Sequence, residues 1–425
     1  MTEALLQHIW QHSLFDSAGM RAVTGEEVTV IFPGAINTNS GPDFSAARIR
    51  IGNTILVGNV ELHIKASDWY KHRHEHDPAY RNLVLHVVYE NDSAPLSQQV
   101  PTLVLAPHIK PHVLAQYHSL QLSGAILPCH SQLHTVKDIT RSSWLTRLLA
   151  ERWEEKLADW DDLLNSSAGD WRNLLYWRMA ANFGFKVNAD AFLMLARSLP
   201  LNILAKHHEN LLQIEALLFG QAGMLTGSFN DEYPQQLQKE YQYLSQKYSL
   251  TPVPLHLWKF MRMRPANFPT IRIAQFAALV HRSVHLFSSI IEADPVKKIK
   301  ELLQVKASGY WDMHYRFDDA QEAPSVKYLG QGSVNNIIIN TVAPIKFLYA
   351  QHQGNGHLRE AALQLLEDIP SEKNKIMDIW ITAGWKPVSA AQSQAMIQLY
   401  NKYCTSGKCL QCAVGHSILR LAPLE

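Results

Sequence analysis

Two acidic residues and two basic ones with spacing suited to hydrolytic chemistry lie in the stretch 41–92. Asp43 lies directly before a predicted strand, and Glu61, His63 and Lys65 alternate along the next strand. Side chains two residues apart project from the same face of a strand. Two carboxylates a few ångströms apart do not both stay ionised at low cost unless a cation joins them. Oxygen ligands of this kind favour magnesium or manganese.

This arrangement predicts metal-assisted hydrolysis. With a divalent ion held by Asp43 and Glu61, either His63 or Lys65 would orient or deprotonate a metal-bound water. The same acids also have purely structural interpretations. Asp43 could form an Asx turn after Gly-Pro, and Glu61 could pair with an arginine on the neighbouring strand.

The segments around these acids resemble a nuclease signature. Gly41-Pro42-Asp43, then 17 intervening residues and Glu61-Leu62-His63, is similar to the PD-(D/E)XK motif, with His63 in place of the usual lysine. The predicted order of elements (helix, three strands, a poor helix and a last strand) is also similar to that superfamily. The resemblance implies that a glutamate of the first helix joins the metal site, and Glu3 is the candidate.

Longer strings resemble a second family. GPDFSAARIRIG, GNVELHIKASDWYKHRHEHDPAY and NLVLHVVYEND, together with a C-terminal cysteine cluster, are similar to an uncharacterised bacterial family described as a domain of unknown function. That resemblance implies no particular activity. In addition, Trp69-x-x-His72-x-His74 is similar to a stretch of the very short patch repair endonucleases, which belong to the nuclease superfamily.

Histidines are concentrated around the same strands. His63, His72, His74, His76 and His86 fall within 24 residues. Histidine is a common metal ligand and titrates near neutral pH. The cluster could bind zinc, contact phosphates, act as acid or base beside the carboxylates, or form a hydrogen-bonding surface. We predict that His72 and His74 contact nucleic acid and that His86, in an apolar strand, is a core histidine.

The four cysteines suggest a second, structural metal site. Cys404, Cys409 and Cys412 have the spacing of a metal-binding knuckle. The fourth ligand is either His416 or Cys129. Zinc is the favoured metal, and a site that includes Cys129 would also admit an iron–sulfur cluster. The alternative is a set of reduced thiols.

A concentrated positive segment extends from Tyr241 to Ile291, which contains no Asp or Glu. Cationic side chains neutralise phosphates, and the interleaved aromatics Trp258, Phe260 and Phe268 could stack on unpaired bases. The alternative is a buried helical region whose arginines pair with acids elsewhere. The predicted nucleic-acid contacts are Lys259, Arg262, Arg264 and Arg272.

The elements that must position these residues follow from the hydrophobic periodicity. The pattern predicts a helix over 3–15, strands over 28–32, 46–51, 54–64 and 83–89, and a further strand over 101–106. From about residue 140 the spacing is helical, although 336–348 is β-rich in composition and interrupted by Pro344. The predicted fold is therefore α+β. It comprises a PD-(D/E)XK-like mixed sheet with flanking helices in 1–125 and a mostly helical domain in 126–425, which contains the basic segment 241–291 and the cysteine cluster 404–416.

Composition limits the function classes. The chain of 425 residues is 47% hydrophobic and has a formal net charge of +1, so a uniformly basic nucleic-acid coat is excluded. Neither a secretory signal nor a membrane span is evident, which predicts a cytoplasmic protein without a membrane partner. We expect a divalent-metal-dependent nuclease acting on DNA or RNA, or alternatively a non-catalytic nucleic-acid-binding or scaffold protein on a nuclease-like fold. The oligomeric state stays open.

Overall fold

The computed structural model describes residues 1–93, 100–283, 285–293 and 296–421. The chain divides into two compact units. The first comprises Met1–Thr146, Asp378–Trp385 and Ile397–Glu425, and the second comprises Arg147–Met377 and Lys386–Met396. The predicted α+β class is confirmed, since a mixed sheet occupies the N-terminal region and helices dominate the remainder.

The first unit is built on a six-stranded mixed sheet of order β1-β3-β4-β5-β6, with β2 paired to β3. The pairs β1–β3 and β3–β4 are antiparallel, whereas β4–β5 and β5–β6 are parallel. The last strand is shorter than predicted, because Pro101 precedes it and a 3-10 turn containing Pro107 follows soon after it. The strands are β1 Val28–Phe32, β2 Ala35–Ile36, β3 Phe44–Ile51, β4 Thr54–Lys65, β5 Leu83–Glu90 and β6 Thr102–Val104.

The helices confirm the helical character predicted from about residue 140 onward, but the stretches 201–219 and 271–290 each form two helices, and the helix Pro111–Leu122 was not predicted. A short hairpin, β7 His314–Arg316 with β8 Asp319–Ala320, lies among them. In chain order they are α1 Glu3–Gln11, α2 Asp68–Lys71, α3 Pro111–Leu122, α4 Asp138–Ser166, α5 Trp171–Phe183, α6 Phe185–Ser198, α7 Leu201–Lys206, α8 Leu211–Gln221, α9 Glu232–Tyr248, α10 Pro269–Arg282, α11 Leu286–Glu292, α12 Val296–Leu303, α13 Gln331–Ile337, α14 Ala343–His352, α15 Gly356–Glu367, α16 Lys375–Thr382, α17 Ala390–Leu399 and α18 Ala413–Arg420.

The first helix is shorter than the predicted 3–15. Thr2 caps its start, with its hydroxyl accepting a hydrogen bond from the Leu5 N–H at 3.3 Å. The helix ends at Gln11, and Ser13 adopts a positive φ of 51°. The apolar periodicity continues into Leu14, which is buried beyond the helix end. The apolar periodicity extends beyond the end of the helix, so a prediction from periodicity alone makes α1 too long.

The segment 336–348 is helical, despite its β-rich composition. It runs from the end of α13 through a widened turn, Ile338–Val342, into α14. Pro344 lies in the first turn of α14, directly after the widened turn, where the helical hydrogen-bond pattern is already irregular. Ile338 and Ile345 are fully buried in the core of the second unit.

Among the described residues, no helix is both long and apolar enough to cross a membrane.

Candidate functional site

A β-bulge in β3 places Asp43 opposite Glu61 on β4. The pairing register between the two strands shifts by one residue between Phe44 and Ala47, and Ala46 in this bulge has a φ of 53°. Extending the pairing one residue beyond Phe44 brings Asp43 level with Glu61. If the same sequence paired without a bulge, the apolar side chain of Phe44 would take that position. The bulge therefore creates the acidic pair.

Main-chain hydrogen bonds hold the two carboxyl groups in place. The Asp43 N–H donates to Glu61 Oε2 at 3.0 Å, and the Leu62 N–H donates to Asp43 Oδ2 at 3.0 Å. From α1, Gln7 Nε2 donates to Asp43 Oδ1 at 2.8 Å. These contacts hold the two acids facing one another, and none of the contacts involves an arginine or a lysine.

The environment of the pair disfavours two negative charges. Burial raises the pKa of Asp43 to about 6, with a further rise from the charge of Glu3, although the hydrogen bond from the Leu62 amide opposes it. Burial, and then the charge of Asp43, raises the pKa of Glu61 to about 8. Near pH 7 the cation-free pair therefore retains a proton, and a divalent cation between the carboxylates would replace it.

A chain of imidazoles lies beside the acids. His63 is 1% exposed, and its Nδ1 lies 2.9 Å from His86 Nε2 while its Nε2 lies 3.2 Å from His72 Nδ1. Burial, and then the neighbouring imidazoles, lowers the pKa of His63 to about 3. His63 is therefore neutral, with one ring nitrogen donating and the other accepting. The predicted burial of His86 is confirmed, with its Nε2 bonded to His63.

One histidine predicted to contact nucleic acid, His74, lies next to the acidic pair. His74 Nε2 lies 3.3 Å from Glu61 Oε1, and His63 Nε2 lies 3.7 Å from the same oxygen. One ring nitrogen from each of His63, His72 and His74 lies within 4.8 Å of the other two. The site thus combines two carboxylates with a cluster of imidazoles, a mixed oxygen and nitrogen donor set. The side chain of His72 is exposed at its edge.

Sequence reasoning missed two side chains of the site. Gln7 follows the candidate Glu3 by four residues on α1, a spacing that puts both on one helix face and could have identified it. Tyr80 hydrogen-bonds to the Glu61 carboxyl group and stacks on His74, with ring centroids 4.1 Å apart. Two 3-10 turns place Tyr80 at the site, and such turns have no periodic hydrophobic pattern in the sequence.

Lys65 lies away from the carboxylates. As the last residue of β4 it is about half exposed, and its Nζ lies 3.9 Å from Glu90 Oε2. It shares a strand face with Glu61 and His63, as the alternation predicts, but it contacts the rim of the sheet. The histidines, and not Lys65, are the bases next to the acidic pair.

Three of the predicted nucleic-acid contacts in the second unit are solvent-exposed: Lys259, Arg262 and Arg264. The expectation for Arg272 is corrected, because it is 4% exposed and its guanidinium is used internally. Its hydrogen-bond partners are the side chains of Asn267, Gln275 and Ser333.

The interleaved aromatics are not free to stack on bases, contrary to expectation. Trp258 is 6% exposed and donates its indole N–H to the Ala222 carbonyl at 2.8 Å. The rings of Phe260 and Phe268 pack on each other, and each lies under the guanidinium of Arg316. The three aromatics predicted to stack on bases therefore do not supply a stacking surface beside the exposed cations.

The cysteines and His416 separate into two clusters of the first unit. His416 lies beside His8 of α1 and His12, the residue after α1, with its Nδ1 3.3 Å from His8 Nε2 and its ring centroid 4.0 Å from that of His12. One small cavity is lined by all four cysteines, Cys129, Cys404, Cys409 and Cys412.

A larger cavity of about 460 Å³ belongs to the second unit. Its walls include the cations Arg152, Lys156 and Arg178, together with the acids Glu155 and Asp159. Burial, and then the two arginines, lowers the pKa of Lys156 to about 7. The mixed charge distinguishes this cavity from a metal site.

Comparisons with known proteins identify a family and no characterised relative. A family model described as "Protein of unknown function (DUF2851)" matches residues 3–375, which span the sheet, the acidic pair and most of the helical region. Searches of curated proteins and of solved structures gave no match. The resemblance to a family of unknown function is thus confirmed, and the chain belongs to the DUF2851 family.

Proposed function

We propose that this protein is a divalent-metal-dependent phosphodiester hydrolase that cuts DNA or RNA on a PD-(D/E)XK-like sheet. The proposal rests on the carboxyl groups of Asp43 and Glu61, which meet across β3 and β4 in a buried place that raises the pKa of both. Such a pair is unfavourable without a cation and is a typical ligand set for magnesium or manganese.

The residues that would hold the cation are Asp43 and Glu61, with the Leu62 carbonyl and Glu3 as additional oxygen ligands. A bound cation would polarise the phosphate and lower the pKa of its water. Nearby imidazole nitrogens make manganese well suited, because it accepts both oxygen and nitrogen ligands.

His74 is better placed than His63 to take a proton from an attacking water. Both ring nitrogens of His63 face other imidazoles, whereas His74 Nε2 points at the Glu61 carboxyl group. His63 then orients the cluster and links it to the exposed His72, from which a proton can leave to solvent. In the second unit, Lys259, Arg262 and Arg264 would neutralise backbone phosphates.

A non-catalytic nucleic-acid-binding or scaffold protein is the second candidate function. The observation that favours it is His63, which stands where the nuclease signature has a lysine, is 1% exposed and has both ring nitrogens engaged. Such a residue cannot neutralise a phosphate as a lysine does.

The test is a panel of single- and double-stranded DNA and RNA with magnesium or manganese. We compare the wild type with Asp43→Asn and Glu61→Gln, and use Glu90→Gln as the control because Glu90 is an exposed acid of the same sheet. We expect both site variants to lose about 100-fold or more in cleavage and the control to retain it. Cleavage that survives both changes refutes the proposal, and binding without cleavage by the wild type favours the scaffold function.

A further inference from the structure

Four cysteines far apart in the sequence converge in the first unit. Cys129 precedes the 3-10 turn His130–Thr135, and Cys404 ends the widened helical turn Tyr400–Cys404. Cys409 begins the turn Cys409–Gln411, and Cys412 is the residue before α18. All are free thiols. Two parts of the chain separated by more than 270 residues thus supply one cluster.

The cysteines line a small, partly enclosed space, in which Cys129 and Cys412 are buried and Cys404 and Cys409 are partly exposed. Cys129 is 9% exposed and Cys412 is 7% exposed. The cavity has a volume of about 20 Å³, enough for one water-sized sphere. The chain approaches itself closely here, because a Cβ at Gly415 would collide with the Cys409 carbonyl. Core packing alone does not require four cysteine side chains around one small cavity.

Burial raises the pKa of all four thiols, so without a metal they are protonated, and metal binding would have to displace their protons. Contacts at Cys412 partly oppose this effect of burial. The main-chain N–H groups of Val414 and Gly415, at the start of α18, and the side chain of Trp144 all favour the charged form of Cys412. Lys408 lines the same cavity and adds a positive charge. Metal ligation requires the thiolate and not the thiol.

His416 is excluded as the fourth ligand by its position. Although it follows Cys412 by four residues, its ring lies against His8 and His12. Proximity in the sequence would make His416 the fourth ligand, but it is Cys129 that lines the cavity with the other three cysteines.

We propose that Cys129, Cys404, Cys409 and Cys412 bind a structural metal ion or cluster through four thiolates. A closed four-ligand site leaves no open position for a substrate, so its role is to join the C-terminal segment to the region around residue 129. The site is independent of the proposed nuclease activity.

Zinc is the expected occupant, and an iron–sulfur cluster is the other occupant that four thiolates admit. Tetrahedral zinc would bring the sulfurs to about 3.8 Å from one another. Among the described residues, the cysteines do not form a set whose donor atoms all lie within 4.8 Å, so zinc would draw their side chains inward. A cluster would need a larger space than the small void between them.

The experiment measures zinc, iron and acid-labile sulfide in the full-length protein after anaerobic purification, for the wild type, Cys129→Ser and His416→Ala. We expect about one zinc per chain in the wild type and in His416→Ala, and at least a tenfold loss in Cys129→Ser. Iron with sulfide in the same pattern supports the four-thiolate site with a cluster. Wild-type protein without metal, or metal lost only in His416→Ala, overturns the proposal.

Alkylation of the wild type keeps the test independent of how the variants fold. With metal bound, the four thiols should resist iodoacetamide, and after chelation all four should be modified, as counted by mass spectrometry. Four thiols that react equally fast before and after chelation would also overturn the proposal.

Discussion

Of the two acids in the pair, Glu61 has the more strongly raised pKa. Its side chain is buried on β4, faces Asp43 and contacts His74, and its carboxyl group retains a proton up to a pH of about 8. Since carboxylates are rarely buried unless paired, this placement indicates a partner of opposite charge. The pKa shift also makes the stability of the protein depend on pH.

The contribution of Glu61 to the stability of the cation-free protein should fall as the pH rises from about 4.5 to about 8. In this window the unfolded chain has released the Glu61 proton and the folded protein still holds it, so raising the pH favours unfolding. The buried histidines, whose pKa values are lowered, act in the opposite direction below a pH of about 6.5. The difference between the wild type and Glu61→Gln therefore isolates the effect of Glu61. Glu61→Gln removes this dependence and should be more stable than the wild type at pH 8 by on the order of 3 kcal/mol. Urea titrations at pH 5 and pH 8 after chelation measure both effects.

Manganese should reverse the loss at pH 8 in the wild type and not in Glu61→Gln, because a cation that binds only the folded state stabilises it. Glu90→Gln, an exposed change on β5, should behave as the wild type does. Wild-type and Glu61→Gln curves that stay parallel at all pH values, with and without manganese, would show that Glu61 is not held as described.

The sequence predicted those residues of the site that strand alternation or a turn motif positions. Alternation put Glu61 and His63 on one face, and the Gly-Pro-Asp turn marked Asp43. The contact of His74 with Glu61 depends on the irregular segment after α2, where Arg73 adopts a positive φ of 59°. No periodicity describes such a segment, so the sequence allowed an acid or base role for the histidine cluster as a whole but did not single out His74.

The bulge in β3 is the element on which the acidic pair depends. Ala46→Val puts a β-branched residue at a φ of 53°, which disfavours the bulge. Pairing of the same strands without the bulge would move Phe44 opposite Glu61 and turn Asp43 away. We expect Ala46→Val to weaken manganese binding in calorimetry by about tenfold or more. Ala46→Gly is the matched control, since glycine tolerates the positive φ and keeps the bulge. Its stability should stay within about 1 kcal/mol of the wild type. Manganese binding by Ala46→Val at wild-type affinity would contradict this account.

Elements with a clear period were predicted, whereas the two continuous apolar runs gave one correct prediction and one ambiguous segment. The continuous apolar run of β5 indicated a strand covered on both faces, and its first six residues are buried. The segment 336–348 is equally apolar, yet it is helical because it lies in the core between helices. An apolar run buried on all sides has no polar face, so periodicity cannot distinguish helix from strand.

Which segments of the chain form the first unit could not be predicted from their order in the sequence. Its sheet comes from the first 110 residues, but the unit also contains Ile397–Glu425. Helix α18 packs against α3, and the turn Cys409–Gln411 packs against α1. Such long-range contacts leave no trace in local periodicity, and the cysteine spacing was the single hint that the C-terminal segment meets residues near 129.

Leu419 tests this organisation from the far end of the chain. It is fully buried in α18, so Leu419→Ala should lower the stability of the first unit by about 2–5 kcal/mol. Arg420→Ala, an exposed change one residue later, should alter it by less than about 0.5 kcal/mol. Hydrogen exchange should accelerate in β3, β4 and β5 of Leu419→Ala, because the sheet and α18 belong to one cooperative unit, while α5 and α10 of the second unit keep their protection. Faster exchange confined to residues 397–421, with an unchanged sheet, would show that the C-terminal segment is not part of that unit.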